Sequence, residues 1–197
     1  VPDEFLFPKE LPQLGRQDQE RLGDTLLKRG DLPGAFIQYE KLLADEPNNV
    51  RIMYKKGLTL LYGEQYPDAA SVFEDVLKHN PDHALSHLAL GQAYLELDRH
   101  GDAEQHLRTA LDLNPLLGIA HNLLGNIYDR QQRYTEAVLE YQAALRLKPS
   151  DAKLWNNLGV SYLLDMKFPL AEAERQGEHH HHEGRQGPLT AGDSAFA

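Results

Sequence analysis

The chain has 197 residues, a formal net charge of −10 and no cysteine. The missing cysteine excludes disulfide bonds, thiolate metal sites and cysteine nucleophiles. The negative charge disfavours a general nucleic-acid-binding role, because a phosphate backbone needs a concentrated basic surface. No apolar run approaches the roughly 20 residues that a membrane-spanning helix needs, so we expect no transmembrane segment.

Residues 1–15 are predicted to form an extended lead-in. Pro2, Pro8 and Pro12 interrupt any helical period there, since proline fixes φ and has no backbone N–H. Two interpretations stay open for this segment. Its apolar residues 5–7 could dock against the first helix, or the segment could be a flexible tether.

Three residue types then recur with a fixed period of 34 residues. Glycines stand at Gly23, Gly57, Gly91, Gly125 and Gly159. Alanines follow each of them at Ala35, Ala69, Ala103, Ala137 and Ala171. Prolines complete the first four periods at Pro47, Pro81, Pro115 and Pro149. A fixed period of this length predicts stacked helix–turn–helix units.

The period divides the chain into four complete units and one partial unit. They are expected at residues 16–49, 50–83, 84–117, 118–151 and 152–175. Each proline should separate two units, because the residue before a proline is pushed out of helical geometry. The small residues indicate where the two helices of a unit approach most closely. Glycine costs about 1 kcal/mol relative to alanine inside a helix, so its repetition implies a steric need.

The residues that keep this phase resemble the tetratricopeptide repeat. In the fourth and fifth units they are Tyr141, Ala144, Pro149, Trp155, Leu158, Gly159, Tyr162 and Ala171. The resemblance covers about residues 16–175. It implies an all-α fold, a right-handed superhelical solenoid of antiparallel helix pairs with about four and a half repeats. It also implies a concave groove, lined by first helices, of a kind that usually binds a peptide or a protein segment.

The repeat phase selects the side chains expected to face this groove, at the second, fifth, sixth, ninth, twelfth and thirteenth positions of each unit. An asparagine cluster could pair with the backbone of an extended peptide, because carboxamides both donate and accept; it comprises Asn122, Asn126, Asn156 and Asn157. A tyrosine–basic patch would suit an apolar or acidic side chain; it comprises Arg51, Tyr54, Lys55 and Tyr62. Further candidates are Gln92, Arg130 and Lys153. The alternative is an ordinary polar inner face without a dedicated ligand.

One known ligand class of the family is not expected. The carboxylate clamp that binds chaperone C-termini is only partly matched here. Glu20 and Asp24 replace the lysine and asparagine that the resemblance would require in the first unit.

Two of the histidines have a spacing that occurs in metal sites. His83 and His87 lie four residues apart on a predicted helix, a spacing that can place two ligands on one face. His87 and His121, however, occupy the position that holds Trp155 in the fifth unit, which favours packed, hydrogen-bonded side chains. His79 and His83 flank a proline turn and are expected to be exposed.

Residues 176–197 form a non-repeat tail rich in histidine and glycine. The run His179, His180, His181 and His182 could bind Zn²⁺ or Ni²⁺ weakly by composition alone. A tag-like or disordered segment is the favoured interpretation. No Gly-x-Ser-x-Gly motif and no glycine-rich phosphate loop occur, so we predict no catalytic site and no cofactor.

The sequence therefore predicts a non-catalytic scaffold that binds an extended protein segment in its groove. The alternative is a self-associating module, because a repeat array that stops at Arg175 exposes apolar residues that could pair with another copy. The strings at residues 123–129 and 156–162 are similar to the tetratricopeptide repeat protein of bacterial tight-adherence (Flp) pilus assembly. That resemblance implies a role in pilus or secretion assembly and a periplasmic, membrane-anchored lipoprotein; otherwise a cytoplasmic location is expected.

Overall fold

The structure is a computed structural model that describes residues 15–166, and this part of the chain is all-α. The helices are α1 (Arg16–Arg29), α2 (Leu32–Asp45), α3 (Val50–Tyr62), α4 (Tyr66–His79), α5 (Ala84–Glu96), α6 (His100–Leu113), α7 (Gly118–Arg130) and α8 (Tyr134–Leu147). A further helix, α9, covers residues 152–166. The predicted lead-in before residue 15 and the predicted tail lie outside the described residues. Units 1 to 5 below follow the division predicted from the sequence.

From α1 to α8, each helix packs against the next one along the chain, as nearest neighbours do in a solenoid. The first helices of neighbouring units also touch directly, α3 with α5 and α5 with α7. One buried apolar cluster runs continuously from Leu60 to Leu158, and a smaller one around Tyr39 fills unit 1. The predicted all-α superhelical solenoid is confirmed. None of the helices between residues 15 and 166 has the length and apolarity that crossing a bilayer requires.

Every complete unit turns at one left-handed residue between its two helices. Gly30 takes this conformation in unit 1, with φ of 79°. Glu64, Asp98 and Gln132 take it at the equivalent position, with φ between 57° and 62°. Each turn is closed by a backbone hydrogen bond from the residue that follows to the first helix, such as the bond from the Arg99 N–H to the carbonyl of Tyr94, at 2.9 Å. This αL ending satisfies carbonyls at the helix end and reverses the chain.

The recurring glycines make room for one large side chain on the second helix. In units 1 to 4, a Cβ on the glycine would lie between 2.6 and 2.8 Å from that side chain, which is too close for a stable contact. The facing pairs are Gly23 with Tyr39, Gly57 with Phe73, Gly91 with Leu107, and Gly125 with Tyr141. The recurring alanines of the same units are completely buried. Glycine is therefore required sterically, which explains its repetition despite its low helix propensity.

Replacing Gly125 with alanine should lower the free energy of unfolding by about 1–3 kcal/mol, the usual range for overpacking a core. The added methyl group would meet the Tyr141 ring at 2.6 Å. The matched control is Gly101→Ala in α6, where a Cβ meets nothing within 4 Å. That variant should be neutral or up to about 1 kcal/mol more stable, because alanine restricts the unfolded chain. Urea unfolding of both variants checks this; equal effects would show that the ring contact does not require glycine.

Candidate peptide-binding groove

The first helices α1 and α3 are joined by a charged cluster. The Lys55 Nζ donates to Glu20 Oε1 at 2.6 Å and to Asp24 Oδ1 at 2.7 Å. The Arg51 guanidinium donates to the other oxygen of Glu20 at 2.7 Å. Together with Gln17 and Arg21, these residues line a depression of about 430 Å³. Lys55 and Glu20 are mostly buried, with side chains 21% and 13% exposed.

The electrostatics of this cluster differ from those of a free basic patch. Burial raises the pKa of Asp24, but hydrogen bonds from Lys55 and Tyr39 outweigh it and hold that pKa below its usual value. Burial, followed by the hydrogen bond to Asp24, raises the pKa of the Tyr39 hydroxyl. Asp24 is thus ionised at neutral pH, and both Lys55 and Arg51 already have carboxylate partners within the chain.

The two tyrosines of the tyrosine–basic patch have different surroundings. Tyr54 is half-buried, with its ring 5.0 Å from the ring of His83 and 5.9 Å from that of Phe73. Burial raises the pKa of Tyr54, and the nearby Tyr62 adds to this rise. Tyr62 itself is exposed at the end of α3. Of the two tyrosines, Tyr62 is therefore the one that is more open to a ligand.

The asparagine cluster extends over α7 and α9. Asn157 donates its Nδ2 to Asn122 Oδ1 across the two helices, at 3.4 Å. Asn126 accepts a hydrogen bond from the Tyr141 hydroxyl at its Oδ1, at 2.7 Å. Asn156 is exposed at the start of α9. The structure thus brings Asn122 and Asn157 into contact, orients Asn126 from the second helix and leaves Asn156 open to solvent.

A hydrogen-bonded group behind the asparagine cluster holds α7, α8 and α9 together. The buried Ser161 hydroxyl donates to the Asp129 carboxylate at 2.8 Å. The Tyr141 hydroxyl also lies 3.0 Å from this carboxylate, and burial followed by the Asp129 charge raises the Tyr141 pKa. These partners were not among the predicted site residues. For Tyr141 the sequence does carry a signal. Unit 4 has Tyr141 on its second helix and Asn126 one residue after the recurring glycine, and unit 1 has Tyr39 and Asp24 at the same two positions.

The other predicted groove residues are spread along the first helices. Gln92 is half-buried in the middle of α5, and Lys153 is exposed near the start of α9. Arg130 is exposed, with one guanidinium nitrogen 3.9 Å from the Asp98 carboxylate. Two aliphatic side chains lie among them on α5 and α7: Leu85 and Ile119 are 42% and 53% exposed. The first-helix surface therefore alternates amide, aliphatic and charged groups.

Among the predicted groove residues, four carboxamide side chains form no hydrogen bond through their NH₂ groups with another residue of the described chain. We call them the carboxamide row, and they are Gln92, Asn122, Asn126 and Asn156. Two of their oxygens are already occupied, at Asn122 and Asn126. The row consequently presents N–H donors from the centre of the array to α9, and at Asn122 and Asn126 the oxygen of the same group is already occupied.

A larger depression of about 740 Å³ lies between α2 and α4, with apolar walls that include Phe36, Ile37 and Val72. None of the predicted groove residues lines it. We place the candidate site on the first helices instead, because the predicted groove residues lie there and line none of this depression.

His87 and Trp155 make the same hydrogen bond in their respective units. The His87 Nε2 lies 2.9 Å from the carbonyl of Pro81, and the Trp155 Nε1 donates to the carbonyl of Pro149 at 2.8 Å. His121 pairs instead with Glu140 on α8, at 2.6 Å. The predicted hydrogen-bonded role of His87 and His121 agrees with this geometry, although both are only partly buried.

The predicted exposure of His83 is wrong. Its ring is half-buried against Tyr54, and its Nδ1 accepts from the backbone N–H of Ser86 at 3.2 Å, which caps α5. His79 is exposed. Within residues 15–166, no three histidine or carboxylate side chains are arranged to hold a metal ion. The run of four histidines at residues 179–182 lies outside the described residues.

Three overlapping matches to a family model described as a tetratricopeptide repeat cover residues 54–117, 88–152 and 122–178. Together they span more than half of the chain. The chain belongs to the tetratricopeptide repeat (TPR) family. No curated protein is significantly similar in sequence to this TPR protein.

Solved structures with the same fold include several of MamA. One crystal structure of MamA is 23% identical, with a TM-score of 0.69 over 89% of this chain and 98% of that one. MamA from Desulfovibrio magneticus RS-1 is 22% identical, with a TM-score of 0.70 over 87% and 97%. The first TPR domain of Spaghetti (RPAP3), bound to the HSP90 peptide SRMEEVD, is 21% identical, with a TM-score of 0.56 over 58% and 90%. At these identities the likeness shows the fold alone.

The charged cluster makes a prediction about stability. Lys55→Met should lower the free energy of unfolding by about 1–2 kcal/mol, because Glu20 and Asp24 lose their charged donor. In a double-mutant cycle, Asp24→Asn should lower the free energy of unfolding less in the Lys55→Met background than in the wild type. Urea unfolding measures all three variants.

The control is Arg130→Met, which removes an exposed partner 3.9 Å from its carboxylate. Its effect should stay within about 0.5 kcal/mol, as for most exposed ion pairs. If the losses in the free energy of unfolding for Lys55→Met and Asp24→Asn are additive, the coupling of α1 to α3 through this cluster is contradicted.

Proposed function

We propose that this TPR protein is a non-catalytic scaffold that binds an extended segment of a partner protein across α5, α7 and α9. The observation that carries the proposal is the carboxamide row, whose NH₂ groups have no partner within the described chain. TPR proteins generally act as non-catalytic interaction scaffolds, and the RPAP3 domain of the same fold is bound to a peptide. These facts support a peptide ligand.

The spacing of the row suits an extended backbone. Asn122 and Asn126 lie four residues apart on α7, which separates such side chains by about 6 Å. Carbonyls on the same edge of an extended chain repeat every two residues, at about 6.6 Å. The two amides can therefore donate to alternate carbonyls of the ligand. Because Tyr141 and Asn157 already occupy their oxygens, the amide orientation is set before the ligand arrives, which reduces the entropy cost of binding.

The groups around the row favour an apolar residue in the bound segment. Leu85 and Ile119 are exposed on the same helices as the row, and burying them against a ligand side chain would be favourable at about 25 cal/mol per Å². The charged cluster between α1 and α3 gives no support for the anionic peptide that RPAP3 holds. Arg51 and Lys55 are already paired with carboxylates there.

A role in pilus or secretion assembly stays a prediction from the sequence resemblance. The family assignment and the solved structures of the same fold support a scaffold in general. The process in which this scaffold acts, and the compartment, follow only from that resemblance.

Binding to random linear peptides tests the proposal. Peptides selected from a displayed library on the wild-type protein should bind the Asn122→Ala/Asn126→Ala variant about tenfold more weakly, since two hydrogen bonds of about 0.5–1.5 kcal/mol each are lost. Fluorescence anisotropy with labelled peptides measures the affinities. The Tyr141 hydroxyl keeps Asp129 as a partner in this variant, so the fold should persist.

The matched control is Gln105→Ala, which removes an exposed carboxamide from the second helix α6. Its affinity should equal that of the wild type. A library that yields no specific peptide, or peptides whose affinity is the same for both variants, would contradict the proposed groove.

A second candidate function is self-association through α9. Trp155, Tyr162, Leu163 and Met166 lie on one face of this helix by the helical period, and all four are exposed within the described structure, Met166 by 70%. Exposed apolar patches of this kind often mark contacts between proteins. The proposed occupant of this face is the same helix of a second copy.

Sedimentation velocity of the full chain tests self-association. The wild type should form dimers that increase with concentration, and Leu163→Glu/Met166→Glu should shift them to monomers, because a buried carboxylate would be desolvated at the contact. The exposed polar substitution Gln105→Glu on α6 should leave the distribution unchanged. A wild-type chain that is monomeric at all concentrations would exclude this function.

A further inference from the structure

Two histidines on the two helices of unit 3 are hydrogen-bonded to each other. His87 on α5 and His106 on α6 place their Nδ1 atoms 2.9 Å apart. Their rings are stacked, with centroids 5.2 Å apart. Both side chains are partly buried between helices that form the centre of the array. They occupy the same two repeat positions as the His121–Glu140 pair of unit 4.

The hydrogen bonds of the two histidines determine which ring nitrogens carry protons. A carbonyl oxygen only accepts, so the His87 Nε2 must carry the proton that it donates to Pro81. The neutral His87 ring then has a bare Nδ1, which accepts from the Nδ1–H of His106. A proton added to Nδ1 of His87 would place one N–H against another at 2.9 Å. The bond therefore persists in the neutral pair and also when His106 takes up a proton on Nε2. It is lost when Nδ1 of His87 is protonated, and the doubly protonated pair then carries two adjacent positive charges.

The acidic groups around the two histidines do not fully neutralise the positive charge of the doubly protonated pair. On α4, Glu74 accepts a hydrogen bond from the Tyr94 hydroxyl of α5, and the Tyr94 ring lies 5.6 Å from that of His106. Arg99, at the start of α6, stacks over the same tyrosine ring at 4.1 Å. Asp102 is paired with Arg99, so both acidic groups near His106 already have partners.

The direction of the titration follows from these contacts. Burial lowers the pKa of His106, and the neighbouring His87 lowers it further, against the opposing effects of Asp102 and Glu74. His83, at the start of α5, has its pKa lowered by burial and then by His87. Histidines in an unfolded chain take up protons near pH 6.5. Stability contributed by these neutral rings is therefore complete above that pH and decreases as the pH falls below it.

We propose that His87 and His106 form a proton-sensing pair that weakens the packing of α5 against α6 when the pH falls below neutrality. The pair lies in unit 3, at the centre of the array, so a change there affects the units on both sides. In a solenoid each unit is stabilised by its neighbours, so loosening unit 3 separates units 1 and 2 from units 4 and 5. This inference does not depend on the identity of any groove ligand.

The first test is an NMR titration of the imidazole signals of the full chain in the presence of a chelator. The His106 signal should titrate below pH 6.5 in the wild type and move to higher pH in His87→Gln, because glutamine cannot take up a proton. Glutamine can still donate to the Pro81 carbonyl and accept from His106, so the variant keeps the hydrogen bonds of the neutral pair. A His106 signal that titrates at or above pH 6.5 in the wild type would overturn the proposal.

The second test compares urea unfolding at pH 7.5 and pH 5.5. Between pH 7.5 and pH 5.5 the equilibrium constant for unfolding should rise by a factor that is about ten times larger in the wild type than in His87→Gln. A tenfold difference is expected when the unfolded chain binds one proton more than the folded chain over one pH unit. The control variant His79→Gln, which changes an exposed histidine outside the pair, should behave as the wild type does. Equal pH dependence in the wild type and His87→Gln would overturn the proposal. If His87→Gln does not fold, the titration of His106 in the wild type decides alone.

Discussion

The contact between a recurring glycine and one large side chain fixes the geometry of each complete unit. The missing Cβ lets the ring of Tyr39, Phe73 or Tyr141 lie directly on the first helix. This contact sets both the distance between the two helices and their rotation about their axes. The rotation then decides which side chains of the first helix remain outside the core, and so it determines the composition of the groove.

The same side chain connects the core to the groove where it is a tyrosine. In units 1 and 4 its hydroxyl passes beyond the glycine and reaches a polar residue on the first helix, Asp24 or Asn126. In units 2 and 3 the equivalent residues are Phe73 and Leu107, which have no hydroxyl. The groove side chains that a tyrosine of the second helix orients therefore lie in units 1 and 4. The histidine pair lies between them, in unit 3.

The helical units were predictable because their determinants are local and periodic. Gly57, Ala69 and Pro81 each act within one unit, and the same requirement recurs in the next. The charged cluster was not predictable in this way, because its members are far apart in sequence. Lys55 pairs with Asp24, which lies 31 residues earlier, and with Glu20, which lies 35 residues earlier. A sequence pattern places these residues on one surface without showing which charges meet. The groove as a ligand site stays a prediction that rests on the unused donors of the carboxamide row.

His83 illustrates a different limit. A histidine beside a proline turn has the sequence context of an exposed residue, yet its ring nitrogen replaces the side-chain oxygen that normally caps a helix. The ring then packs on Tyr54 of α3. This role depends on one rotamer and on the distance between α3 and the start of α5, and neither is encoded in the repeat period.

The hydrogen bond of Trp155 has a spectroscopic consequence. It is the only tryptophan of the chain, and its indole joins α9 to the carbonyl of Pro149 while remaining 56% exposed. Tryptophan fluorescence therefore reports the junction of units 4 and 5, whereas circular dichroism averages over all helices. In a solenoid whose units unfold with partial independence, the two signals would follow different parts of the same molecule.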